Sequence, residues 1–154
     1  MTTLILAFFI GVIGGLRAMT APAAVSWAAR LGWLHLESTW LAFLGFVATP
    51  YVFSALAIGE LITDQLPSTP SRKVPVQFGT RIFVGALCGA ALGAASDALI
   101  GGLLAGVLGA IAGTLGGYEF RSRVVKAIGG NDLPIALLED AIAIGGAFLV
   151  VSRV

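Results

Sequence analysis

Charged residues are scarce in this chain: Asp, Glu, Lys and Arg make up 11% of its 154 residues, against about 25% in a soluble domain. A soluble helical bundle needs polar outer faces with a 3.6-residue period, whereas the long segments here are apolar or small all the way round. The scarcity of charge therefore excludes an ordinary soluble domain. The net charge of +1 also provides no broad basic field, so no nucleic-acid partner is expected.

Cysteine and histidine are almost absent, with one of each in the chain. No disulfide or thiolate metal site can form within one chain from Cys88 alone, and its glycine and alanine neighbours favour a packing role. No activated serine arrangement is visible either, which argues against an enzyme. We therefore predict no cofactor, no metal site and no catalytic residue.

Long apolar runs dominate what is present, since the chain is 58% hydrophobic. We predict one domain over residues 1–154, an all-α integral membrane protein built as a compact bundle of about five transmembrane helices. The first helix contains Gly14-Gly15 and Pro22 and is expected to be kinked or broken. The five predicted spans are residues 4–30, 40–64, 78–95, 99–121 and 134–151.

Basic residues gather in two predicted loops, 65–77 and 121–133. Because Lys and Arg are enriched in cytoplasmic loops, these two loops are predicted to be cytoplasmic. Five crossings would place the N-terminus inside and the C-terminus outside. A first helix that breaks near Gly15 into two crossings would instead place the N-terminus outside, and both alternatives stay open.

Glycine recurs at every fourth position in predicted helices 3 and 4. This spacing lets two helix backbones approach closely, which is the main source of helix association in lipid. It predicts a glycine-zipper hairpin formed by these two helices; pore lining or a subunit contact are the alternatives. Five short spans make a small bundle, so a homo-oligomer is expected. The packing glycines are Gly85, Gly89, Gly93, Gly109, Gly113 and Gly117.

Several charges lie inside the predicted spans, where each costs about 2.5 to 3.5 kcal/mol and needs a partner or water. Arg17 is the deepest cation, within GVIGGLRAMTAPAA. Glu60 and Asp64 are one turn apart and share a helix face, and Arg81 is expected to pair with Glu119. We predict an intramembrane cluster that binds a small ion or an anionic solute, with these candidates: Arg17, Thr20, Glu60, Asp64, Arg81, Glu119, Glu139 and Asp140.

The segment PSTPSRK, residues 67–73, combines hydroxyl groups with two cations. It is a candidate contact for lipid headgroups through Ser71, Arg72 and Lys73. A solvated loop without such a role is the alternative.

Three motifs carry a family resemblance: GLRAMTAPAA at residues 15–24, GELITDQLPSTPSR at 59–72 and GTR at 79–81. Together they resemble the bacterial membrane family catalogued as domain of unknown function 4126. The resemblance covers most of the chain and implies a small multi-pass protein of the bacterial cytoplasmic (inner) membrane. It supplies no reaction. It directs attention to the residues within the motifs, namely Arg17, Glu60, Asp64, Pro67, Pro70 and Arg72.

Two functions compete on this evidence. In the first, the protein is a transporter or channel for a small solute or ion that uses the Arg/acid cluster. In the second, it is a structural or lipid-binding membrane protein whose buried charges only determine helix packing. A third function, an enzyme whose acidic groups hold a divalent metal through oxygen ligands, lacks a full metal motif.

Overall fold

The computed structural model describes residues 1–66 and 71–154, so Pro67 and Pro70 of the second motif lie outside the described residues. Over these two ranges the chain folds into helices without strands, which confirms the all-α prediction. A 3-10 helix at Trp40–Gly45 separates the second and third α-helices. The α-helices are α1 (Thr2–Leu16), α2 (Thr20–Arg30), α3 (Thr49–Thr63), α4 (Pro75–Ala94), α5 (Leu99–Ala127) and α6 (Leu133–Val151).

Three helices in the described ranges are long and apolar enough to cross a membrane, namely α4, α5 and α6. The predicted count of five is therefore too high by this measure. The helices α1 and α3 have 15 residues each, about 22 Å of helix, which is shorter than the hydrocarbon core of about 30 Å. Three spanning helices with exposed apolar side chains indicate a membrane protein.

The predicted first helix is two helices, because the backbone leaves the helical conformation at Arg17 (φ −138°, ψ 107°). Pro22 lies in the first turn of α2, where its missing N–H costs nothing; in a continuous helix its ring would clash with the Ala18 carbonyl. Pro50 lies in the first turn of α3 and begins that helix.

The helix α2 runs back beside α1 and does not continue it. At one end of the molecule the Thr3 hydroxyl lies 3.1 Å from that of Ser96, in the turn between α4 and α5. Near the other end, Leu16 packs on Gly117. At the far end of α2, the Trp33 ring lies 6.3 Å from that of Phe148, late in α6. The break at Arg17 is therefore the tip of a helical hairpin that enters and leaves by the same face.

Glycines join α1, α4 and α5 at close backbone contacts. On α4, Gly85 and Gly89 face Gly102 and Gly106 of α5, and a Cβ at Gly89 would lie 2.3 Å from the Gly102 carbonyl oxygen. The prediction paired the α4 glycines with the later glycines of α5, which is wrong. The later glycines of α5 instead receive α1: Gly109 meets Phe8 and Val12, Gly113 meets Val12, and Gly117 meets Leu16.

Candidate functional site

The break in the α1–α2 hairpin leaves helix ends that need partners, and Arg81 of α4 satisfies the first of them. Its Nη1 donates to the carbonyl oxygens of Gly15 and Leu16, at 3.0 and 2.9 Å. These carbonyls form the C-terminal, partially negative end of α1. Thr114 of α5 also donates to the Gly15 carbonyl, at 3.3 Å. A cation thus caps the end of α1.

Glu60 of α3 satisfies the start of α2. Its two carboxylate oxygens accept from the backbone N–H groups of Ala18 and Met19, at 2.8 and 2.7 Å. These N–H groups open the partially positive end of α2, where an anion is favourable. Glu60 and Arg81 are also in ion-pair contact at 3.4 Å. The two facing helix ends are therefore capped by opposite charges that touch each other.

Arg17 lies at the tip of the hairpin and has no exposed surface. Its Nη1 donates to Asp64 of α3, and its Nη2 is in ion-pair contact with Asp140 of α6. Its Nε has no hydrogen-bond partner among residues 1–66 and 71–154. Arg17 thus ties the hairpin tip to α3 and α6 at once. Asp140 faces the protein interior, on the same buried face of α6 as Ala136 and Ala143.

We define the inner cluster as Arg17, Glu60, Asp64, Arg81 and Asp140. Two guanidinium groups face three carboxylates, which leaves one negative charge in excess. The partially positive start of α2 offsets part of it through Glu60. All five side chains are largely buried, so each ion pair is screened little by water. The inner cluster thus brings five charged groups together inside the bundle.

A second set of charges lies beside the inner cluster; we define the outer network as Arg72, Arg121, Asp132 and Glu139. Arg72 binds both carboxylate oxygens of Glu139, one of them at 2.7 Å, and Arg121 contacts Glu139 at 3.4 Å. Arg121 also donates to Asp132 from Nε at 2.7 Å. This hydrogen bond holds the pKa of Asp132 below its ordinary value.

A vestibule of about 540 Å³ opens beside both sets of charges, between the end of α3 and the starts of α4 and α6. Basic groups prevail along its wall, where Arg72, Arg81, Arg121 and Lys126 face Asp64 and Asp132. Because Asp64 also holds Arg17, the vestibule ends against the inner cluster. The lining is completed by Leu66, Ser71, Gln77, Tyr118, Ser122 and Val125.

The structure places the remaining predicted site residues apart from the inner cluster. Glu119 does not pair with Arg81; it is exposed and accepts from Arg123 one turn along α5, at 2.8 Å. The expected pair fails because Arg81 turns toward the end of α1. Thr20 is buried near the hairpin tip, and Glu139 belongs to the outer network.

The candidate headgroup contacts separate in the structure. Arg72 is buried against Glu139, so it faces the protein. Ser71 is exposed at the vestibule, and the ammonium group of Lys73 stands 4.0 Å from the centre of the Tyr118 ring. The first four residues of the segment, 67–70, lie outside the described residues.

Sequence reasoning missed several partners in this site. Arg121 was counted only among the basic loop residues, and Asp132 was not singled out. Thr114 carried no signal because it lies in an apolar helix. The N–H groups of Ala18 and Met19 are backbone groups that no side-chain pattern marks, although the glycine pair and the proline around them indicated a break. The acidic candidates are each held by arginine, and no group of three metal-ligand side chains occurs in the described chain.

Comparisons of the chain with protein-family models, with curated proteins and with solved structures find no match. The resemblance to the family of unknown function 4126 therefore stays a prediction that rests on the quoted motifs.

Proposed function

We propose that the protein is a small transporter or channel that passes a small anion across the membrane by way of the inner cluster. One observation carries this proposal: the two helix ends of the α1–α2 break meet beside a basic, water-accessible vestibule. Broken helices whose ends face a cavity at membrane depth are a recurrent way to build substrate sites in secondary transporters. The excess of basic groups along the vestibule wall favours an anion.

Asp64 is the proposed gate residue. Its carboxylate lines the vestibule and also occupies Nη1 of Arg17. An incoming anion competes with Asp64 for Arg17, because both present oxygen acceptors to the same guanidinium group. Loss of the Arg17–Asp64 contact leaves the hairpin tip held to α3 through Glu60 alone, while Asp140 continues to hold it to α6. The anion then reaches the Arg17 guanidinium group, beside the start of α2 that Glu60 caps.

The proposed setting is the cytoplasmic membrane of a bacterium, with the vestibule on the cytoplasmic side. The basic residues around the vestibule support this orientation through the enrichment of Lys and Arg in cytoplasmic loops. The small size of the bundle supports a homo-oligomer.

Flux through liposomes tests the proposal. Purified protein is reconstituted, and the release of encapsulated chloride or phosphate is followed with ion-selective detection. We expect a flux that Arg17→Ala and Asp140→Asn each reduce to the level of empty liposomes, since each removes a tie of the hairpin tip.

The matched control is Glu119→Gln, which removes an exposed carboxylate on α5 outside the inner cluster and is expected to leave the flux unchanged. Each variant is first checked for a sharp gel-filtration peak. The absence of flux in the unmodified protein, or unaltered flux in Arg17→Ala and Asp140→Asn, would contradict the proposal.

A structural or lipid-binding protein is the second candidate, and a specific observation favours it. Every acidic member of the inner cluster already contacts an arginine or a helix end. Stabilisation of the fold therefore accounts for all three carboxylates without a role in transport. This candidate predicts that charge-neutralising substitutions lower the melting temperature while no flux is present to lose.

A further inference from the structure

An apolar groove of about 410 Å³ lies over α2, between α3 and α6. Trp27 and Trp33 line it from the α2 side, Ala57 and Leu61 from α3, and Phe148 from α6. Its volume is in the range of sites that hold small molecules. Since α3 and α6 carry exposed apolar side chains on either side of it, the groove is a place for an apolar chain.

The groove and the vestibule lie end to end. On α3, Leu61 lines the groove and Asp64 lines the vestibule, within one turn of each other. On α6, Ile144 lines the groove one turn beyond Asp140, which belongs to the inner cluster. One helical turn is about 5.4 Å. The basic vestibule and the apolar groove therefore adjoin at the level of the hairpin tip.

A buried hydroxyl group lies along the groove at this level. Thr20 is 6% exposed and lines the groove, and its Oγ1 has no hydrogen-bond partner within the described ranges. A buried hydroxyl without a partner is unfavourable, because it has lost its hydrogen bonds to water without replacing them. An oxygen acceptor on a molecule in the groove, such as an ester carbonyl, would satisfy it.

We infer that the anion of this site is amphiphilic: a phosphate headgroup in the vestibule with an apolar chain in the groove. This rests on the proposed function, whose vestibule it takes as the substrate site. Phosphate matches the donors of the vestibule, because arginine and lysine side chains beside serine hydroxyls suit an anion with several acceptor oxygens. A free phosphate that enters without a chain offers the same acceptor oxygens, and the experiment separates it from the lipid.

Tryptophan fluorescence measures the occupancy of the groove, since two of the three tryptophans line it. Trp40→Phe protein, which keeps Trp27 and Trp33, is placed in nanodiscs that contain dibromostearoyl phosphatidic acid or, at equal mole fraction, dibromostearoyl phosphatidylcholine. Bromine quenches only nearby tryptophan. We expect an apparent affinity about fivefold or more higher for phosphatidic acid, the preference that one basic group near an anionic surface supplies.

Two matched variants assign the preference to the groove. In the Trp40→Phe background, Ala57→Phe fills the groove and is expected to abolish the preference. Ala55→Phe adds the same ring to an exposed position of α3 outside the groove and is expected to preserve it. Equal quenching by the two lipids, or a preference that survives Ala57→Phe, would overturn the inference.

Inorganic phosphate separates the two sources of the headgroup. If phosphate competes with quenching by phosphatidic acid, the lipid headgroup occupies the vestibule as proposed. If phosphate raises the melting temperature and phosphatidic acid shows no preference, the ligand is a free phosphate and the apolar chain is excluded. A lipid preference without flux in liposomes would retain this inference and contradict transport, whereas flux without a lipid preference would do the reverse.

Discussion

Glu60 shows how one side chain satisfies several demands at the hairpin tip. Its carboxylate accepts two backbone N–H groups at the start of α2 and also contacts Arg81. A glutamine keeps the shape but presents an amide NH₂ group to one of those N–H donors and removes the charge that faces Arg81.

We therefore expect Glu60→Gln to lower the free energy of unfolding by about 3 to 5 kcal/mol, the cost of removing one partner of a buried ion pair. Thermal unfolding in detergent measures it. Glu119→Gln is the control, because this exposed glutamate also pairs with an arginine and its loss is expected to cost about 0.5 kcal/mol or less. Equal losses in the two variants would show that the hairpin tip does not depend on Glu60.

The hydrogen bond from Arg121 gives Asp132 a role in stability at acid pH. Because it holds the pKa of Asp132 below its ordinary value in the folded state, the contribution is fully present above that ordinary value and is lost as the pH falls through the lower, folded value. We expect the melting temperature to fall less steeply below about pH 4 in Asp132→Asn than in the unmodified protein.

Asp97→Asn serves as the control for this pH series. Asp97 is an exposed residue with a positive φ of 54°, which asparagine also tolerates. In Asp97→Asn, the melting temperature is expected to fall with pH as steeply as in the unmodified protein. An unchanged slope in Asp132→Asn would remove Asp132 as a contributor to acid sensitivity.

At the scale of elements, glycine positions decide how closely α1 approaches α5. A Cβ at Gly113 would lie 2.2 Å from the Val12 carbonyl oxygen, whereas nothing lies within 4 Å of one at Gly116 on the same helix. Backbone cannot yield as a flexible side chain does, so α1 must move away if Gly113 gains a side chain.

We expect Gly113→Ala to lower the melting temperature and Gly116→Ala to leave it unchanged or raise it, since alanine is favoured over glycine in helices by about 1 kcal/mol. Differential scanning fluorimetry compares the two variants. Similar melting temperatures for both would mean that the contact between α1 and α5 contributes little to stability.

At the scale of the whole molecule, the hairpin changes the path of the chain through the bilayer. Because α2 returns to the face where α1 begins, the N-terminus and the C-terminal end of α6 lie on one face, and Lys126 lies toward the other. This arrangement matches the alternative in which the first helix breaks near Gly15 and the N-terminus lies on the same side as the C-terminus.

Labelling of single cysteines tests this path. In a Cys88→Ala background, Thr3→Cys and Arg153→Cys are expected to react with an impermeant maleimide from the outside of intact cells, and Lys126→Cys only after the membrane is opened. Each protein with one cysteine is the control for the others. If Thr3→Cys and Lys126→Cys react under the same condition and Arg153→Cys reacts under the other, the hairpin is contradicted.

Much of the fold and part of the site could be predicted from the sequence. Low charge and long apolar runs indicated a helical membrane protein, because only helices satisfy their own backbone in lipid over such lengths. The last three predicted spans begin and end within a few residues of α4, α5 and α6, except that α5 continues beyond residue 121 to Ala127. Arg17 was chosen for the cost of burying its charge, and four of its proposed companions form the inner cluster with it.

Only the tertiary structure decided which charges meet and where the chain turns back. The sequence by itself determined that Arg17 needs partners, but Asp64 and Asp140 are 47 and 123 residues away along the chain, and composition has no information on such distances. Arg81 preferred the carbonyls of α1 over Glu119 because the hairpin tip brings unsatisfied backbone groups to it. Helix formation is local and is encoded within each segment, whereas the pairing of charges depends on how the segments pack.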